Sequence, residues 1–219
     1  MAEIWKVDPN NPESWLIARA AERIGQGQVL AIPTDTFYGL AANPFDAAAI
    51  ENVFAIKGRP KNAPLLLLVD SVEMARELSP DLPDTFFLLA KRFWPGPLTL
   101  VVPASSQLAP EVTAGTGRVG VRLPAAPIAV TLIGAAACPL TATSANLSGQ
   151  KECSTAQQVN DCLGDRLALI LDGGTSPQSQ PSTVVNLEGD SWEILREGAV
   201  PCAEVALYLK EQRNTERKK

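Results

Sequence analysis

Three observations predict a mixed α/β domain. Helix-like and strand-like segments alternate along the chain. Hydrophobic residues make up 46% and charged residues 20% of the 219 positions, a balance that can bury a sizeable core. No linker, internal repeat or low-complexity segment interrupts the alternation. One domain is expected over residues 1–209. A basic, frayed tail is expected over 210–219, where five basic and two acidic residues carry no apolar pattern.

The elements follow in chain order. Asn11-Pro12-Glu13 reads as a cap, a proline at the first helical position and an early acid. Trp15, Leu16, Ala20 and Ile24 continue a helix that Gly25 and Gly27 stop. Gln28 to Ile32 is a short strand closed by Pro33. Asp46 opens a second helix with Ile50, Val53, Phe54 and Ile56 apolar, ended by Gly58. Pro64 to Val69 is a continuous apolar run that suits a buried strand. Short helices start at Asp70-Ser71 and at Pro83-Asp84, the latter ending at Trp94-Pro95-Gly96. Strands are expected at Leu98 to Val102 and Val119 to Leu123, a helix at Pro127 to Ala137 and a strand at Leu140 to Thr143. Ser154 or Thr155 caps a helix reaching Leu163, and Leu167 to Leu171 is a strand. Thr183 to Leu187 and Trp192 to Leu195 form an antiparallel pair around Glu188-Gly189-Asp190. The last helix runs from Cys202 to Lys210.

Composition removes several kinds of chemistry. The chain has no histidine, which excludes Ser-His-Asp and Cys-His catalysis and every zinc site with a histidine ligand. Cys138, Cys153, Cys162 and Cys202 form no C-x-x-C pair and read as reduced thiols of a cytoplasmic protein. The charged, proline-bearing start is unlike a signal peptide, and the longest apolar stretch, Ile128 to Leu140, is too short for a membrane span. A net charge of -5 is unlike a general polyanion binder.

One motif fails on context, and two others are absent. Gly115 to Gly120 matches G-x-G-x-x-G, but the strand-like, proline-ended Val121-Arg122-Leu123-Pro124 follows where a dinucleotide site needs a helix. No Gly-Lys dipeptide exists for a P-loop, and no G-x-S-x-G elbow exists.

Four segments gather small polar groups, glycines and cations outside the periodic elements: residues 33–40, 57–61, 141–149 and 181–183. Arg122 and Arg196 lie in or at the ends of strands. Loops at strand ends are where α/β sheets build sites. Arginine binds carboxylate or phosphate through two parallel hydrogen bonds, and lysine supplies a compact charge for phosphate. Thr36, Ser144 and Ser182 offer hydroxyls. The inventory suits a substrate with a carboxylate and a polyphosphate. Taken singly, each residue also fits a helix-dipole partner, a turn or a surface ion pair.

Taken in order, PTDTFYGL, KGRP, VRLP, TSANLSG, PSTVVNL and LREGAV resemble the signature of YrdC-like (TsaC-type) threonylcarbamoyl-AMP synthases, from Pro12 to Val200. The resemblance implies a twisted, mostly open mixed sheet with helices around a large basic concave cavity. It implies condensation of L-threonine, bicarbonate and ATP to threonylcarbamoyl-AMP and pyrophosphate, with Mg²⁺ on the ATP phosphates and no protein ligand to the metal. Separate proteins would then transfer the group to tRNA, and tRNA itself is a candidate partner. By the same resemblance Thr36, Arg122 and Ser182 contact threonine, with Arg122 on its carboxylate. Lys57 and Arg59 are the catalytic basic pair at the phosphates and bicarbonate. Ser144, Asn146 and Arg196 lie on the nucleotide side. Ala63, Leu68, Arg118, Glu152 and Glu197 depart from the family pattern, and the changes are expected to cluster on nucleotide-side contacts. The competing readings are a paralogue of the same fold that binds RNA through Lys57, Arg59, Lys61, Arg118 and Arg122, and a sensor that binds nucleotide without turnover.

Overall fold

Helices and strands alternate as the sequence predicts, and the strands divide between two mixed sheets. The computed structural model describes residues 2–58, 63–177, 180–189 and 191–216. In chain order the elements are β1 (Glu3–Lys6), α1 (Ser14–Gly25), β2 (Leu30–Ile32), β3 (Gly39–Ala41), α2 (Ala47–Lys57), β4 (Leu66–Leu68), α3 (Val72–Leu78), α4 (Asp84–Phe93), β5 (Leu98–Pro103), α5 (Pro110–Thr113), β6 (Arg118–Arg122), α6 (Pro127–Ala136), β7 (Leu140–Thr141), β8 (Thr143–Ser144), α7 (Ala156–Leu163), β9 (Leu169–Asp172), β10 (Thr183–Glu188), β11 (Ser191–Arg196) and α8 (Cys202–Glu216). One sheet has the order β1-β9-β2-β3-β8 and the other β11-β10-β5-β6-β4-β7.

Local chemistry explains several boundaries. Asp46 caps α2 by accepting from Ala48 N and Ala49 N, and Gly58 ends it in the left-handed region at φ 59°. Ser71 and Thr155 cap α3 and α7 in the same way. The first helix differs from expectation. It starts at Ser14, and Glu13 makes no side-chain cap; its carboxylate accepts instead from Asp8 N at 3.1 Å. Trp15 is 60% exposed, and the buried stripe of α1 is Leu16, Ile17, Ala20, Ala21 and Ile24. The last helix continues to Glu216, beyond the expected end near Lys210. Glu211 and Gln212 are good helix formers, so a polar surface does not stop it. After the glycine run at 115–117 comes strand β6, as the rejection of a dinucleotide motif requires.

β2 and β9 are continuous apolar runs because both of their faces are covered. Leu30, Ile32, Leu169 and Leu171 pack with α1 and α6, while Ala31 and Ile170 enter the larger core on the other side. β1 and β3 escape the sequence reading. β1 is a mostly exposed edge strand held by parallel pairing to β9, and β3 is three residues held between β2 and β8. The single strand expected over Leu140 to Thr143 is in fact two. β7 pairs with β4 in one sheet and β8 with β3 in the other, so this segment crosses between sheets. Thr141 secures the crossing: its hydroxyl donates to Leu40 O at 2.8 Å and accepts from Ala42 N at 3.0 Å. All four cysteines are free. No helix among the described residues is long and apolar enough to cross a membrane.

The turn after β11 is fixed onto the segment before β10. Thr183 Oγ1 accepts from Gly198 N at 2.9 Å and Val200 N at 3.1 Å, and Ala199 N donates to Pro181 O at 2.9 Å. A Cβ on Gly198 would lie 2.2 Å from Pro181 O, a backbone atom that cannot swing aside. Gly198→Ala is therefore expected to destabilise the protein by about 3 kcal/mol. Chemical denaturation read by circular dichroism checks this; an unchanged midpoint would show that the turn relaxes freely.

Candidate functional site

A cavity of about 490 Å³ opens between the two sheets. Its floor is one face of the second sheet, and the period of two along each strand decides what reaches it. Thr99 and Val101 of β5, Arg118, Gly120 and Arg122 of β6, and Val184 and Asn186 of β10 line the cavity. The residues between them, such as Leu100, Val119, Val121 and Val185, are in the core. Gly120 keeps the floor flat between the two arginines: a Cβ there would lie 3.1 Å from Thr99 Cγ2. Three arginines, Arg118, Arg122 and Arg196, and one carboxylate, Glu152, are the charged residues on the described wall.

One end of the cavity is built on Arg122, which is 2% exposed. Its Nε donates to Gly96 O and its Nη1 to Thr36 Oγ1, each at 3.1 Å, and its Nη2 is ion-paired with Asp35. Burial pushes the guanidinium down from its ordinary value, and the Asp35 carboxylate opposes the shift. Among the described residues, these three bonds leave two of its five N–H donors for a ligand. Thr34, Asp35 and Thr36 come from the connection between β2 and β3. Tyr38 anchors that connection: its hydroxyl donates to Gly174 O at 2.7 Å, its N–H donates to Cys153 O at 2.9 Å, and its carbonyl accepts from Ala145 N at 2.8 Å.

The other expected residues gather at the same cavity. Ser182 Oγ lies 2.8 Å from Thr99 Oγ1. Arg196 donates to Ser182 O through Nε at 3.2 Å and Nη2 at 2.8 Å. Burial pushes Arg196 down, and Glu152 across the wall counters it. Thr36, Arg122, Ser144, Ser182 and Arg196 all line the cavity. Lys57 and Asn146 stand behind Ser144. Lys57 is 4% exposed, and its ammonium donates to Ser144 O, to Asn146 O at 3.1 Å and to Asn146 Oδ1 at 3.0 Å. Ser144 Oγ donates to Asn146 Oδ1 at 2.6 Å, and Asn146 Nδ2 donates to Gln150 O at 2.6 Å. Arg59 and Lys61 lie outside the described residues. Of the residues expected in the RNA-facing patch, Lys57 and Arg122 are buried and Arg118 is half-buried.

The five departures from the family pattern do not cluster as expected. Arg118 and Glu152 reach the cavity, with Arg118 donating to Asn186 Oδ1 at 3.0 Å and Val101 O at 3.2 Å. Leu68 is fully buried in the core with α1 and α6. Glu197 is exposed and accepts from Cys202 N at 2.8 Å, which caps α8 and holds its carboxyl below the usual range. Ala63 precedes Pro64 of the cavity wall. The sequence reading passes over Thr34, Thr99 and Asn186, which line the cavity, and Asp35, which pairs with Arg122. For Thr99 the signal is present: alternation along LTLVV puts it opposite Leu98 and Leu100. Asp35 gives none, since its partner is 87 residues away.

No group of three or more His, Cys, Asp or Glu side chains among the described residues could hold a metal ion. A divalent cation would fit here on a ligand's phosphates, with Glu152 as the carboxylate within the wall.

A family model, Sua5_yciO_yrdC, described as "Telomere recombination", matches residues 22–198. The chain belongs to the Sua5/YciO/YrdC family. Among its relatives in this family are the threonylcarbamoyl-AMP synthase of Pyrococcus abyssi (strain GE5 / Orsay), 39% identical over 201 residues that make up 92% of this chain and 59% of the relative, and that of Bacillus subtilis (strain 168), 37% identical over 196 residues, 89% of this chain and 56% of the relative. The crystal structure of Pyrococcus abyssi Sua5 complexed with L-threonine superposes with a TM-score of 0.90 at 38% identity, covering 94% of this chain and 60% of that one. The chain thus spans less than two thirds of the length of these relatives.

Arg122 depends on its carboxylate partner. Asp35→Ala would leave a buried cation unpaired at a cost of about 3–5 kcal/mol, while Asp35→Asn keeps an acceptor and costs less. Urea denaturation of both variants measures this; equal stability of wild type and Asp35→Ala would remove Asp35 from the site's framework.

Proposed function

We propose that this chain is an L-threonylcarbamoyladenylate synthase, acting in the cytoplasm for tRNA modification. The observation that carries the reading is a single cavity with two kinds of polar end. Arg122 and Thr36 suit the carboxylate and a polar group of threonine; Ser144 and Arg196, backed by Lys57 and Asn146, suit the nucleotide. Ser182, bonded to Arg196 and Thr99, is assigned to threonine on the family resemblance. Arg59 is assigned to the phosphates and bicarbonate on the family resemblance, and Lys57, the other member of that basic pair, acts there through the Ser144–Asn146 loop that it holds. Relatives named threonylcarbamoyl-AMP synthase and a threonine-bound relative of the same fold support this assignment.

The proposed reaction balances as follows. The threonine amine attacks the carbon of bicarbonate and water leaves, giving a carbamate. A carbamate oxygen attacks the α-phosphorus of ATP and pyrophosphate leaves. The wall offers cations and hydroxyls but no histidine or cysteine nucleophile, which suits catalysis by positioning and charge neutralisation. Arg122 holds the carboxylate, and the arginines offset charge on the phosphates. Mg²⁺, when bound with ATP, supplies further neutralisation there. Separate proteins take the threonylcarbamoyl group onward to tRNA. The RNA-binding alternative is disfavoured by the burial of Lys57 and Arg122.

Pyrophosphate release tests the proposal. Wild-type protein with ATP and Mg²⁺ is expected to release pyrophosphate only when L-threonine and bicarbonate are both present. Lys57→Ala, which unpins Ser144 and Asn146, is expected to lower the rate about 100-fold or more while the far-UV spectrum is kept. ATP binding without threonine-dependent release in wild type would overturn the reading in favour of a nucleotide sensor.

A further inference from the structure

The hydroxyl pair at the threonine end of the cavity has a direction. Thr34 Oγ1 lies 2.7 Å from the carbonyl oxygen of Phe37 and so donates its only proton there. Its two lone pairs are met by Thr36 N at 3.1 Å and by Thr36 Oγ1 at 3.0 Å. Since Thr34 has no proton left, Thr36 is the donor in the pair. Arg122 Nη1 in turn donates to Thr36 Oγ1 at 3.1 Å. Thr36 therefore sends its proton inward and has one lone pair filled by a cation. Among the described residues, this leaves Thr36, which lines the cavity, one lone pair and no donor. Ser182 differs: either oxygen can donate in its bond to Thr99, so its polarity is not set by its partners.

We infer that Thr34 is a positioning residue that sets specificity. It makes Thr36 an acceptor-only contact, which selects a substrate presenting a hydrogen-bond donor there, the β-hydroxyl of threonine. The inference rests on the threonine reading above and deepens it from a contact to a polarity. Thr36 is 6% exposed, so a ligand oxygen without a proton would set lone pair against lone pair where little water relieves it. Sites built to bond a particular hydroxyl reject analogues that cannot complete the bond far more strongly than apolar pockets reject a methyl group. In Thr34→Val the inward acceptor is gone, and the Thr36 proton is free to turn toward the ligand.

Calorimetric titration with L-threonine and with O-methyl-L-threonine, whose ether oxygen accepts but cannot donate, tests this. Wild type is expected to prefer L-threonine by about 100-fold or more. Thr34→Val should shrink that ratio at least tenfold, while Thr34→Ser, which keeps both donor and acceptor, should hold it at the wild-type value. The bulk of the added methyl is the same in every variant, so the change in ratio reports polarity. Unaltered ATP affinity shows that each variant keeps its cavity; should Thr34→Val lose it, Thr34→Ala is read in its place. A hydroxyl-free variant with the wild-type ratio would overturn the inference and leave the synthase reading standing. Wild type that binds no L-threonine would overturn that reading, and this one with it.

Discussion

A buried guanidinium sets the terms for the rest of the site. Arg122 is on the floor of the cavity with almost no exposure, so its charge and donors must be met by the protein. Three partners from two places do so: Asp35 and Thr36 in the β2–β3 connection, and the carbonyl of Gly96 just before β5. The requirement couples the sheets. The connection belongs to the first sheet and Arg122 to the second, so the ion pair spans the cleft in which a ligand would sit. A cation already paired and bonded on three sides is preorganised. Because Arg122 lines the cavity, donors it has left can meet a ligand without the cost of reorienting a long side chain.

The other polar contacts repeat the logic with backbone groups in place of a carboxylate. Lys57 ends α2 and directs its ammonium at the carbonyls of Ser144 and Asn146, fixing the loop after β8. Thr183 binds the backbone of Gly198 and Val200, which sets the turn that follows Arg196. Segments that are far apart in the chain thus recur together because each supplies a donor or an acceptor that another leaves unmet. The crossing of residues 140–144 between sheets puts Ser144 on the wall.

Most elements were legible because they are written in local chemistry. Asp46, Ser71 and Thr155 announce helix starts, Gly58 a helix end, and the runs around Leu67 and Ile170 announce buried strands. β1, β3 and the split of β7 from β8 were not legible, since each exists through pairing with a distant strand and carries too few residues for a period to show. The cavity residues divide in the same way. Thr36, Arg122, Ser144, Ser182 and Arg196 stand out as polar groups at strand ends, whereas Asp35 and Thr34 matter through partners that the chain order does not reveal.

The sequence by itself determined the mixed α/β class, the absence of histidine chemistry, most of the helices and the family signature, because propensity, capping and composition act over a few residues. Tertiary structure decided which face of each strand looks into the cavity, that Lys57 props the loop behind the wall while Arg122 lines it, and which way the Thr34 and Thr36 protons point. Those outcomes depend on what burial leaves without water. A side chain's charge, donors and acceptors are then assigned by whichever neighbours the fold brings within hydrogen-bond distance.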